Sequence, residues 1–261
     1  MVKDIQKKCN IEKSNDLHFP MRLQVFLAKS GVGSRRACEK YIEDGLVCVN
    51  GTPVTVLGAK VSKTDTVTYC GNTVSLEQKR IYVLLYKPKG YVCAAKDPFG
   101  RPLAVNLLQQ AYNERIYNVG RLDMHSSGAI FFTNDGNFAK TISHPSSEIE
   151  KEYLVETVYP FDEHILEEFL HGKLIDGIFY RCTAAQKINE KKMRITLIEG
   201  KNREIRRVLA SYNIQIRRLI RIRIGNIELG NLKPGQFREL TKEEVNALLI
   251  QSSKMTNSER E

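Results

Sequence analysis

Between Val119 and Gly136 the chain reads Val-Gly-Arg-Leu-Asp-Met-His-Ser-Ser-Gly-Ala-Ile-Phe-Phe-Thr-Asn-Asp-Gly, and no other stretch restricts its fold as tightly. A polar, turn-forming segment around Asp123 gives way to the apolar run Ala129 to Phe132, then to Asn134-Asp135-Gly136, a turn signal. The expected order is loop, buried strand, turn. A carboxylate in such a loop, with Arg121 two positions before it and Ser126, Ser127 and Gly128 just after, can stand in a cleft while the strand holds its backbone. Spacing alone favours a plainer role, in which Asp123 is a turn residue satisfying nearby backbone N–H groups.

What surrounds this stretch must form one large or two modest domains, since the chain has 261 residues, 42% of them hydrophobic. Its formal net charge of +10 attracts polyanions, and phosphate backbones are the usual ones. No apolar run approaches the roughly 20 residues of a bilayer span, and Met1-Val2-Lys3-Asp4 leads into polar sequence rather than a signal-peptide core. A soluble, cytoplasmic protein without membrane association is expected. The six cysteines (Cys9, Cys38, Cys48, Cys70, Cys93 and Cys182) lack a C-x-x-C pair, so reduced thiols and no metal are expected.

Residues 1 to about 20 lack periodicity and read as a frayed tail. Leu23, Phe26 and Leu27 then recur at helical spacing, Gly31 and Gly33 break the helix, and Ser34 suits the N-cap of a second one running to about Asp44. Ala37, Cys38, Tyr41 and Ile42 form its buried side and Gly45 ends it. Val47 and Val49 lead into the hairpin turn Asn50-Gly51, and the module closes near residue 75. Arg35 and Arg36 fall in the first helical turn, where the macrodipole disfavours cations unless an anion arrives. With Lys29 and Lys40 they can form a phosphate-gripping face; ordinary solvated charges are the alternative. Met21-Arg22-Leu23, Gly33-Ser34-Arg35-Arg36-Ala37-Cys38-Glu39 and Val47-Cys48-Val49-Asn50-Gly51 together resemble the small S4-type RNA-binding domain, the alpha-L motif. That resemblance implies an accessory module that grips structured RNA.

A polar linker around Ser75 to Arg80 precedes Ile81 to Tyr86, a dense β-type run read as a central strand that ends at Lys87-Pro88-Lys89-Gly90 with both lysines outward. Short helices are expected at 103–114, Phe138–Ser143 and Phe161–His171, and a half-buried strand at Glu152–Val158 with Tyr153, Val155 and Thr157 on one side. A strand at Met193–Ile198 runs into Glu199-Gly200-Lys201-Asn202-Arg203-Glu204-Ile205-Arg206-Arg207, which opens a helix through Ser211. Ile216–Ile224 then alternates, with Arg221 and Arg223 on one face, either meeting phosphates or merely solvated. Leu232 to Gly235 is a turn, Thr241 caps a last helix to about Ile250, and a polar tail follows. Many short strands with few helices make an α+β domain with a mixed, largely antiparallel sheet. There is no P-loop, G-x-G-x-x-G, H-E-x-x-H or G-x-S-x-G, so nucleotide-driven, zinc and serine-hydrolase chemistry have no support.

The remaining pieces are one carboxylate, an aromatic strand and an arginine-rich helix start. Lys87-Pro88-Lys89-Gly90, Gly120-Arg121-Leu122-Asp123 with Ser127-Gly128 and Thr133-Asn134-Asp135-Gly136, Lys151-Glu152-Tyr153 and Glu199 to Arg207 resemble, in order and spacing, the bacterial ribosomal RNA pseudouridine synthases that carry an S4-type domain in front. The departures, Ser126-Ser127 where a threonine is frequent and a less leucine-rich strand at Ala129–Phe132, leave the acid in place. The resemblance implies an S4-like domain over residues 20–76 and a catalytic domain over 81–250. It further implies that Asp123 is the catalytic acid, that Tyr153 stacks on the target uracil, and that Arg206 pairs with Asp123, Arg203 or Arg121 being alternatives. Lys87, Lys89, Lys201, Asn202, Arg203, Arg221 and Arg223 then join Arg35, Arg36 and Lys40 as RNA contacts. Uridine isomerisation breaks one glycosidic bond and makes another, so it needs an ionised carboxylate, kept charged by a nearby guanidinium, and no cofactor. The expected partner is ribosomal RNA or a pre-ribosomal particle, nearer the large-subunit type than the small, with the protein a monomer. A non-catalytic RNA-binding assembly factor is the rival from another class.

Overall fold

The computed structural model describes residues 18–258, so most of the expected N-terminal tail, Cys9 included, lies outside the described residues. The chain divides into two compact units, one ending at Lys79 and one starting at Arg80.

In the first unit β1 (Met21–Arg22) leads into α1 (Leu23–Lys29) and α2 (Arg35–Glu43). The Ser34 hydroxyl accepts the Ala37 N–H at 3.1 Å, the N-cap that the sequence promised. β2 (Val47–Val49), β3 (Thr52–Pro53), β5 (Val67–Tyr69) and β6 (Asn72–Val74) form a sheet in the order β3-β2-β5-β6, while β4 (Lys60–Val61) pairs with β1. Leu23, Leu27, Cys38, Ile42, Val47, Val61 and Val67 pack between helices and sheet. Asn50 and Gly51 sit at φ 52° and 81°, the left-handed pair of a tight hairpin, and Cys70 and Gly71 repeat the device at 47° and 79°.

The second unit is built on a mixed sheet that has nine strands among the described residues. Its strands are β7 (Tyr82–Lys87), β8 (Tyr117–Val119), β9 (Ser127–Thr133), β10 (Lys151–Thr157), β13 (Ala184–Asn189), β14 (Lys192–Leu197), β15 (Ile216–Ile224), β16 (Ile227–Glu228) and β17 (Phe237–Glu239). The order is β13-β14-β10-β15-β9-β7-β17, with β8 beside β9 and β16 beside β15. Among these nine described strands, β15 and β9 alone run parallel, at Ile220↔Ser127 and Arg221↔Gly128. The sheet is therefore mixed and mostly antiparallel, as expected. Both faces are buried: Val83, Leu85, Ile130 and Phe132 join one core with α4 (His164–His171) and α5 (Glu204–Ala210). Leu84 and Phe131 join the other with α3 (Gly136–Ser143) and α6 (Lys242–Ser258). Burial on both sides explains why the β7 and β9 sequences are apolar without alternation.

Three expectations need correction here. The helix placed at 103–114 is only a 3₁₀ turn at Ala104–Leu107, because the chain there pairs with the preceding loop, through a Val92–Leu103 bridge. The last helix runs past Ile250 to Ser258, where a polar tail was expected. The hairpin β11 (Lys173–Ile175) and β12 (Ile178–Tyr180) went unread, although its turn, Asp176-Gly177 at φ 51° and 74°, is the same signal as Asn50-Gly51.

Candidate active site

The parallel contact between β9 and β15 fixes the site. Gly128 sits at φ 114°, and a Cβ there would lie 2.2 Å from the Arg221 carbonyl oxygen, so only glycine lets the two strands close. The preceding loop, Gly120 to Ser126, is thereby held beside β15, whose Arg221 donates from Nη1 to the Arg121 carbonyl at 3.4 Å. Its own bonds stiffen it: Ser126 N–H donates to the Asp123 carbonyl at 3.0 Å, Gly90 N–H to the Met124 carbonyl at 2.7 Å and the Asn118 amide to the Gly120 carbonyl at 2.7 Å.

Asp123 is half-buried in the wall of a cleft of about 540 Å³, with the charges of Arg206 and Lys87 near its carboxylate. Tyr153, from β10, and Arg206, from α5, line the same cleft. Tyr153 is 8% exposed, with Arg221 Nη1 3.4 Å from its hydroxyl. Arg206 donates through Nη2 to the His125 carbonyl at 2.9 Å and to Ser126 Oγ at 3.1 Å, while its Nε is buried without a hydrogen-bond partner among the described residues. Burial works against its charge and the nearby Asp123 carboxylate works for it. The expected Asp123–Arg206 pairing is thus a proximity; the hydrogen bonds of Arg206 go to the loop that carries Asp123.

Arg121, Lys201, Asn202 and Arg203 also line the cleft, all exposed. Lys201 is drawn toward Glu199, at 3.1 Å, and the Phe179 carbonyl, at 2.9 Å. Lys89 is exposed outside the lining, and Arg35, Arg36 and Lys40 are exposed on the first unit.

Lys87 and Arg221 are corrections. Lys87 is fully buried and donates to the Pro88 and Tyr91 carbonyls, both at 2.9 Å; it faces inward because it is in phase with Ile81, Val83 and Leu85. Burial pushes its ammonium down to about 8, with Asp123 pulling the other way. Arg221, in phase with buried Leu219, is 4% exposed and donates from Nε to the Ala129 carbonyl at 2.7 Å and from Nη1 to the Arg121 carbonyl at 3.4 Å. Neither can meet a phosphate at the surface. Arg223 is half-buried and engaged by Glu152 at 2.6 Å and Glu150 at 3.1 Å.

Two cleft groups escaped the sequence reading. Lys151 donates to the Ile149 and Ile198 carbonyls, both at 2.7 Å, and burial with Arg221 nearby lowers it to about 8. Buried Glu204 accepts the Lys201 N–H at 3.0 Å, and its carboxyl is held above the usual range by burial. Lys151 stands in the Lys-Glu-Tyr block and is half-buried; its parity with Tyr153, Val155 and Thr157 was the signal that it turns inward.

A half-buried carboxylate, a tyrosine face and several cations in one cleft, on the mixed sheet of a chain that also carries a small helix-and-sheet unit, define an RNA-modifying enzyme built on a two-unit chain. The sequence matches the RNA pseudouridylate synthase family over residues 81–211 and the S4 domain over residues 21–67. It is 41% identical over 241 residues to an uncharacterized RNA pseudouridine synthase of Borreliella burgdorferi, covering 91% of this chain and 96% of that one. It is 36% identical to the ribosomal large subunit pseudouridine synthase B of Bacillus subtilis, covering 87% and 95%. Among solved structures it resembles a pseudouridylate synthase at 26% identity and a TM-score of 0.62, covering 87% of this chain and 99% of that one. The chain belongs to the RNA pseudouridylate synthase family, with an S4 domain in front of the catalytic one.

Proposed function

We propose that this protein converts a specific uridine of large-subunit ribosomal RNA to pseudouridine, in the cytoplasm and as a monomer. Relatives from Bacillus subtilis and Haemophilus influenzae, 36% and 38% identical, are named for that subunit's RNA. The observation that carries the reading is the convergence of Asp123, Tyr153 and Arg206 on one cleft. The Asp123 carboxylate attacks the flipped-out nucleotide, at the sugar or at the ring; the N1–C1′ bond breaks, the uracil turns, and C5–C1′ forms. The proton leaves C5 and one is gained at N1, so the isomerisation is balanced without an external reactant. Tyr153 offers the ring face that replaces lost base stacking, worth roughly 1–3 kcal/mol. Arg206 holds the Asp123 loop through the His125 carbonyl and Ser126 Oγ, and its guanidinium, like the buried Lys87 ammonium, stands near the carboxylate. Lys201, Asn202, Arg203 and Arg121 meet the RNA at the cleft mouth, and Lys89 meets it nearby.

On the first unit Arg35 and Arg36 have no acidic partner among the described residues, which suits them to phosphates, while Lys40 is shared with Asp44 at 3.2 Å. The S4 domain occupies residues 20–76 and the catalytic domain 81–250. Pseudouridine mapping of both ribosomal RNAs from cells with and without the gene tests the reading: one large-subunit position disappears. A missing small-subunit position, or none, contradicts it; the latter is the outcome for a pure assembly factor.

A further inference from the structure

The loop from Cys93 to Arg101 carries a group that the site described above does not use. Phe99, at its tip, is 78% exposed and belongs to none of the fold's apolar clusters. The tip is nonetheless built. The Asp97 carboxylate accepts the Phe99 N–H at 3.0 Å, the Arg101 N–H at 2.9 Å and Arg101 Nε at 3.0 Å, and Gly100 takes φ 66° to close the turn. The Arg101 guanidinium, locked by Asp97, lies 5.0 Å from the Phe99 ring centroid and covers one side of it. The other side faces solvent.

The root of this loop is fastened to the Asp123 loop. Gly90 N–H donates to the Met124 carbonyl, Cys93 and Leu122 are buried in the same apolar cluster, and Val92 N–H donates to the Pro102 carbonyl at 2.9 Å, clamping the loop's two ends. Phe99 lies six positions after Cys93, a reach of at most ~20 Å, or a few nucleotides. Between Lys87 and Asn113 Asp97 is the only acid, and it is consumed by Arg101, leaving Lys89 and Lys96 unbalanced. An aromatic ring with one free face on a rigid, cationic support is how single-stranded bases are held.

We propose that Phe99 is a second stacking platform, which takes a nucleobase flanking the target uridine while Tyr153 takes the target itself. This rests on the RNA-modifying reading above. A protein partner would use the same exposed ring, but the cationic surround and the tether to the Asp123 loop favour RNA.

The test uses the full chain on unmodified large-subunit ribosomal RNA transcript, measuring pseudouridine formed against RNA concentration. Phe99→Ala raises KM on the order of tenfold, with the larger share of the kcat/KM loss falling on KM. Phe99→Trp restores it; Phe99→Leu, apolar but without a ring face, does not. A Phe99→Ala variant as efficient as wild type, a Leu variant that works as well as Trp, or a loss confined to kcat overturns the stacking role while leaving the enzyme intact. Wild-type protein that modifies no uridine removes the reading beneath it.

Discussion

Arg206 shows what single residues decide in this cleft. Its Nη2 grips the loop at His125 and Ser126, while its Nε is buried without a hydrogen-bond partner among the described residues. Truncation to alanine therefore loosens the loop and removes a charge at once; kcat falls by about 10²-fold or more, while RNA affinity changes by a few fold. Arg206→Lys recovers only part, because an ammonium lacks the second directed donor. Single-turnover rates beside binding measurements check this, and equal losses in both would make Arg206 a phosphate contact. The resemblance, and not the spacing, singled out Asp123, Tyr153 and Arg206, which the fold brings to one cleft. The sequence misled at Lys87 and Arg221, where a cation after an apolar run looks outward. Strand parity with Ile81, Val83 and Leu85, and with Leu219, was the signal that pointed inward.

At the scale of elements, the site depends on the crossing of β9 and β15. Gly128→Ala places a methyl group against the Arg221 backbone at a φ that side chains rarely adopt. Destabilisation of about 3 kcal/mol or more follows, read by chemical denaturation. A change under ~1 kcal/mol would mean that the strands can part there without cost. β10 and β15 are also out of simple register between Glu152 and Tyr153, and the shift sets Tyr153 opposite Arg221. No periodicity announces such a shift. Strands with strong patterns, β7, β9, β10 and β15, were legible, as were the capped helices. The hairpin at Lys173–Tyr180 was missed for want of applying its Asp-Gly signal. The turn at Ala104–Leu107 was missed because tertiary pairing overrode helical spacing.

For the whole molecule, the proposal assigns RNA gripping to the first unit and the chemistry to the second. Reversing Arg35 and Arg36 together to glutamate weakens RNA binding and lowers the slope of log affinity against log salt by roughly 1–2, since each phosphate contact releases counterions; the saturating rate holds. An unchanged slope would take the first unit out of the interface. The composition had already set a basic chain of one large or two modest domains, and the hydrophobic patterns set an α+β sheet. What they could not supply was the cleft, assembled from β9, β10, α5 and β15, whose sequence separations run to about a hundred residues. The account stands or falls on the carboxylate of Asp123. In single-turnover reactions with saturating protein, Asp123→Asn forms pseudouridine more than ~10³-fold more slowly than wild type while its RNA Kd stays within about threefold; product formed within tenfold of the wild-type rate would contradict it.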